Sequence, residues 1–183
     1  MPFSKSLSAL VVTAVLVTVA VGCSESNRLP PEQPAFDEVM LILRGVASSQ
    51  NPRGQLDDQS ALEYARRVGF RGEVLDVAGN TGGDSPQVRL GLERIRGDKR
   101  ITAIYAFSGG GYNARLIWEE LNRAERDRIR KVVVIGSPGV GPTDFAGTSE
   151  LVIKPDPPEG HMAGPKALLE SLGAKSSEVP RNE

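Results

Sequence analysis

The sequence predicts an α/β domain, a three-layer sandwich in which a mainly parallel sheet of about five strands lies between helices. Three observations predict it. Short apolar runs alternate along the chain with segments whose apolar residues recur at helical spacing, the pattern of crossovers that lay strands parallel. Lys131-Val-Val-Val-Ile-Gly136 is rich in β-branched residues, which suit a strand. The apolar run from Ile101 to Phe107 stops abruptly at Ser108-Gly-Gly-Gly111 and is followed by a helical pattern, so a strand turns there into a helix. At 183 residues the chain has room for one domain of ordinary size, whose core needs neither disulfides nor metals. Its hydrophobic and charged fractions, 39% and 25%, are those of a soluble globular protein.

The first segment concerns targeting and stands outside the fold. Lys5 supplies a thin positive region, and Ala9 to Val21 form an apolar run too short to cross a hydrocarbon layer of ~30 Å comfortably as a helix. The run ends in Ala20-Val21-Gly22-Cys23, which resembles the lipobox of bacterial lipoproteins, with Ala20 where that family most often has leucine. The resemblance implies a signal peptide over 1–22 and acylation of Cys23 as the first residue of the mature protein. It also implies a lipid anchor in a bacterial membrane, with the protein in the cell envelope facing the periplasm or the exterior. Cys23 is the only cysteine, which leaves no partner for an intramolecular disulfide. Residues 23–36 are polar and proline-rich and read as a flexible tether. The folded domain is expected over 37–175, with a disordered tail over 176–183.

Within the domain the elements follow in order. Val39 to Leu43 is a compact apolar run, consistent with a strand buried on both faces. Asp57 and Asp58 mark the expected start of a helix, with Ala61, Tyr64, Ala65 and Val68 at helical spacing and Gly69 as its stop. Gly72 to Ala78 is the second strand. Ser85-Pro86 reads as a cap followed by proline at the first helical position, and Val88, Gly91, Leu92 and Ile95 make one face of a helix ended by Gly97. The third strand delivers Ser108, and Ala114, Ile117, Trp118 and Leu121 make the buried face of the helix after it. Arg123 to Lys131 mixes Arg with Glu and Asp, as on a solvated helix face. The fourth strand, Lys131 to Gly136, is followed by a Gly- and Pro-rich stretch, Ser137 to Ser149, expected to be a long loop without helix. Glu150 to Lys154 is the fifth strand and Lys166 to Leu172 a short last helix.

In sheets of this type ligands bind at the carboxyl ends of the strands. Ser108 lies at that edge, as do the loops over 45–54, 79–84 and 155–160. A serine hydroxyl is a poor nucleophile near neutral pH and needs a base, which in turn needs an orienting acid. His161 is the only histidine, and it falls in the loop between the last strand and the last helix. Asp156 and Asp144 compete for the acid, with Glu159 a third choice. Asp156 is better placed by strand end, although it precedes His161 by only five positions and the loop must fold back on itself.

Ala106-Phe107-Ser108-Gly109-Gly110, Asp156, and Gly160-His161 before a closing helix together resemble the α/β-hydrolase superfamily, most nearly its small cutinase-like serine esterases. The likeness runs from about Val39 to Leu172. Ala106 departs from the glycine usual two residues before the nucleophile, and the acid and histidine are closer together than in most members. The resemblance implies an ester hydrolase that acts through an acyl-enzyme, with Ser108 as nucleophile, His161 as base and Asp156 as acid. It implies an oxyanion hole built from the backbone N–H of Gly109 and a second donor, Gly45 or Val46, in the loop after the first strand. The expected partners are a small ester or acyl substrate and, through the anchor, a membrane.

Other chemistries fit less well. A net charge of −1 gives no electrostatic case for nucleic acid. Ser108-Gly-Gly-Gly111 lacks the Lys-Ser or Lys-Thr of a phosphate-binding loop, and Gly136-Ser-Pro-Gly139-Val-Gly141 lacks dinucleotide spacing. One histidine and one cysteine do not make a zinc site, so no metal or cofactor is expected. The competing expectation is a non-catalytic envelope protein that binds a ligand or partner on a hydrolase-like fold.

Overall fold

The computed structural model describes residues 36–46, 52–77 and 84–176. The expected signal peptide, Cys23, nearly all of the tether and the last seven residues lie outside them. Five parallel strands form one sheet: β1 (Val39–Leu43), β2 (Arg71–Val74), β3 (Ile101–Phe107), β4 (Lys131–Ile135) and β5 (Glu150–Lys154). Their spatial order is β2-β1-β3-β4-β5. The helices are α1 (Pro52–Arg67), α2 (Pro86–Gly97), α3 (Gly109–Glu120), α4 (Arg123–Arg128) and α5 (Gly164–Ser176).

Alternation along the strands divides the core in two. Met40, Ile42, Ala103, Tyr105, Phe107, Val133 and Ile135 pack under α1 and α5 with Tyr64, Ala65 and Leu168. Leu41, Leu43, Ile104, Ala106, Val132 and Val134 pack on the other face with Ile95 of α2 and Ile117 and Trp118 of α3. β1, β3 and β4 are buried along their whole length, whereas the edge strands β2 and β5 are half-buried. The nearly continuous apolar runs of the central three, broken only by Thr102 and Lys131, follow from cover on both faces. The three-layer α/β architecture is therefore the observed one.

Several boundaries differ from expectation. α1 begins at Pro52, ahead of the Asp57-Asp58 start; Asp58 instead joins an ion pair with Arg44 from within the helix. β2 stops at Val74, not Ala78: Leu75 still donates to Ile42, but Val77 N–H turns back to Leu75 C=O at 2.8 Å and leaves the ladder. Ser85 precedes α2, yet its hydroxyl makes no cap bond; only its carbonyl engages the helix, accepting from Val88 and Arg89.

The stretch expected to be pure loop between β4 and β5 contains a 3-10 turn over Pro142–Phe145. Phe145, 1% exposed, packs edge-on against Trp118 with ring centroids 5.8 Å apart, so one aromatic anchors the crossover where a helix face would otherwise do it. The last helix is longer than expected and is entered through a 3-10 turn, His161–Ala163. Among the described residues no helix is long and apolar enough to cross a membrane.

Candidate active site

Strand order reverses between β1 and β3, the switch point at which sheets of this kind leave a crevice at their carboxyl edge. Register then levels the strand ends. Leu43 pairs with Ala106 and Phe107 with Ile135, so Gly45, Ser108 and Gly136 stand abreast just beyond β1, β3 and β4. Ile135 pairs with Lys154, which brings Asp156 to the same edge beyond β5.

Ser108 has φ 55° and ψ −124°, and among the described residues it is the one non-glycine with positive φ. Such a conformation costs about 1–3 kcal/mol and persists only where its surroundings over-determine it. Here they do: Ser108 N–H donates to Ile135 C=O at 2.9 Å, and Ser108 C=O accepts from Gly111 N–H at 3.0 Å and from Ser137 Oγ at 2.6 Å. α3 leaves so close to β1 that a Cβ on Gly110 would lie 2.4 Å from Leu43 O, which only a glycine tolerates. The Ser108 hydroxyl itself makes no hydrogen bond among the described residues and lines a cavity of about 80 Å³.

His161 lines the same cavity. A turn closed by Gly160 N–H to Pro157 C=O at 2.9 Å folds the short loop back, and His161 Nδ1 meets Asp156 Oδ1 at 2.7 Å. The imidazole stacks on Phe107, the residue before Ser108, with ring centroids 4.9 Å apart and planes 23° from parallel. Beneath the pair lies Gly136, at φ 58°, where a Cβ would stand 2.4 Å from Asp156 Oδ1 and 2.9 Å from His161 Nδ1.

Of the other sequence candidates, Asp144 accepts the Gly141 N–H at 2.8 Å and caps its own 3-10 turn, and Glu159 is exposed. A Cβ on Gly45 would approach Ser108 Cβ to 2.9 Å, so the loop after β1 runs against the serine; Val46, 67% exposed, lines the cavity beside it. Gly109 N–H, in the first turn of α3, has no backbone acceptor among the described residues, as the opening of a helix dictates.

Sequence reasoning missed the groups that hold this edge together. Gln87, fully buried, donates through Nε2 to Arg44 C=O at 3.3 Å and Val77 C=O at 3.0 Å, and its Oε1 accepts from Asn113 Nδ2 at 2.8 Å. The Arg44 side chain donates from Nε to Asp58 at 2.8 Å and from Nη1 to Asp76 at 2.6 Å. Both ends of Arg44 are thereby fixed next to Gly45. The available signal was a polar residue within each helix's apolar face, Gln87 beside Val88 and Asn113 beside Ala114. Asp57, expected as a helix start, stands in the wall of the cavity. Burial and the Asp58 charge push its carboxyl up to about 6, against a smaller opposing effect of His161.

An imidazole whose Nδ1–H donates to a carboxylate keeps Nε2 as its basic nitrogen. A hydroxyl on a strained turn at the same cavity is a group such a base can deprotonate. Among the described residues no three His, Cys, Asp or Glu side chains are grouped to hold a metal ion. No protein-family model matches the chain, and no curated protein matches it.

Proposed function

We propose that this protein is a serine hydrolase of carboxylic esters, working through an acyl-enzyme and anchored in a bacterial cell envelope by lipid on Cys23. The observation that carries the chemistry is the 2.7 Å contact between Asp156 and His161 at the cavity onto which Ser108 opens. Ser108 Oγ attacks the ester carbonyl while His161 Nε2 takes its proton. Asp156 holds the ring and stabilises the imidazolium. Gly109 N–H and a donor from Gly45 or Val46 meet the charge that develops on the carbonyl oxygen, an interaction typically worth ~10²–10³ in turnover per donor. His161 then protonates the departing alcohol, and water, activated by the same imidazole, releases the acid. The strained serine backbone supports this reading, because such strain concentrates where a side chain must be presented. A cavity of about 80 Å³, where one water takes roughly 10–15 Å³, suits a short chain rather than a fatty acyl chain.

The test is hydrolysis of p-nitrophenyl esters by Ser108→Ala, His161→Ala and the double variant. Nucleophile and base act as a unit, so each single change should remove nearly all activity and the second should add little. Additive partial losses or full activity in the variants overturn the pairing, and a wild-type protein that hydrolyses none of the esters favours a non-catalytic binding protein.

A further inference from the structure

The cavity beside Ser108 holds side chains that the proposed chemistry leaves unused. Much of its wall is apolar, from Ile42, Leu43, Ala61 and Phe107. Of its polar side chains Arg44 and Asp58 pair with each other, Ser108 and His161 serve the proposed chemistry, and Asp57 and Tyr105 are left over. Asp57 makes no hydrogen bond or ion pair among the described residues, although its neighbour Asp58 is engaged by Arg44. Tyr105, 1% exposed and lining the same cavity, carries a buried hydroxyl with no partner among the described residues. Burial first, and then Asp57 and Tyr64, push that hydroxyl's pKa up.

Both groups destabilise the fold as they stand. A buried hydroxyl without a partner forfeits the bonds it had with water, and burial beside Asp58 holds the Asp57 carboxyl partly out of its charged form, with only a smaller opposing effect of His161. A molecule that enters the cavity beside Ser108 can complete both groups. Their chemistry states what that is. The carboxylate only accepts, and the phenol has a proton to give. An ammonium group answers the first and offers no acceptor to the second; an alkyl group answers neither.

We infer that Asp57 and Tyr105 form a polar subsite that selects esters carrying a hydroxyl group near the scissile bond, the hydroxyl donating to Asp57 and accepting from Tyr105. The inference rests on the hydrolase reading of Ser108. The hydroxyl belongs to whichever part of the ester fills the cavity, acyl or alcohol, and the test separates the two.

The experiment compares kcat/KM at about pH 8, where Asp57 is ionised. On the acyl side the substrates are p-nitrophenyl butanoate, β-hydroxybutanoate and β-aminobutanoate. On the alcohol side they are ethyl acetate and hydroxyethyl acetate. In the wild-type protein the hydroxyl member of one set should be preferred by roughly tenfold to a hundredfold, the range of a hydrogen bond to a charged group. The preference should fall to about one in Asp57→Ala and by several-fold in Tyr105→Phe. Tyr105→Phe keeps the ring, and it carries the test alone if Asp57→Ala does not fold. Each protein is also treated with a fluorophosphonate. If Ser108 is labelled but neither set shows a hydroxyl preference, if the preference survives both variants, or if the amino ester is the better substrate, the subsite is overturned and the hydrolase reading stands. If wild-type Ser108 is not labelled, the hydrolase reading falls and the subsite with it.

Discussion

Asp156 Oδ1 and His161 Nδ1 stand 2.7 Å apart although only four residues lie between them. A turn closed from Gly160 to Pro157 makes the reversal, and the bare Cα of Gly136 makes the room. Acid, base and strand end form one unit, in which the absence of a side chain at Gly136 matters as much as the side chains present.

Gly136→Ala should therefore disable the site. Its Cβ would overlap Asp156 and crowd His161, at a backbone φ of 58° that an L residue adopts only with strain. We expect kcat to fall by roughly a hundredfold or more as the imidazole loses its orientation, with a stability loss of about 1–2 kcal/mol. Gly139→Ala is the control: φ is +81° but nothing lies within 4 Å of the added methyl. It should lose comparable stability in a urea melt and keep kcat.

Strain at Ser108 is separable from its chemistry. Ser108→Ala keeps a Cβ at φ 55° and ψ −124°, whereas Ser108→Gly relieves it. Relief is offset in part by the added freedom of glycine in the unfolded chain. Ser108→Gly should be the more stable of the two inactive variants by about 1 kcal/mol in urea. Equal stabilities would remove the strain argument.

Asp57 sets a pH dependence with a definite sign. Its carboxyl is held at about 6 in the folded protein by burial and Asp58, above the value of about 3.9 expected in the unfolded chain. The folded state then binds the extra proton, so this group's contribution is fully present below about pH 4 and is lost as pH rises to about 6. With allowance for partial exposure, the ionised group costs about 1 kcal/mol at neutral pH. Asp57→Asn should gain about that much stability near pH 7 and almost none near pH 4. A loss near pH 7 would mean that the carboxylate has a stabilising cation.

The sheet was legible because its central strands carry one message: Val39 to Leu43 is apolar throughout and Ile101 to Phe107 nearly so, with Thr102 the exception, as a strand covered on both faces requires. Ser108 was legible because a serine between a strand and three glycines is locally unusual. His161 and Asp156 were legible from position at one sheet edge, but their contact depends on a backbone reversal that five residues of sequence do not specify. Gly136 was opaque, since the atoms that exclude a side chain there come from residues twenty and more positions away. Asp57 was misread because an aspartate near a helix start is usually explained by the helix, and the cavity that gives it another meaning exists only once β1, α1 and the His161 loop are assembled. Gln87 and Asn113 show the same limit, since each is intelligible only in the presence of the other.

Activation of Ser108 as a nucleophile by His161 can be read from one reaction, in which the folded domain is treated with a fluorophosphonate probe and the adduct located by peptide mass. A single adduct is expected on Ser108, lost in Ser108→Ala and strongly slowed in His161→Ala. An unmodified Ser108, under conditions in which a control serine hydrolase reacts fully, would contradict it.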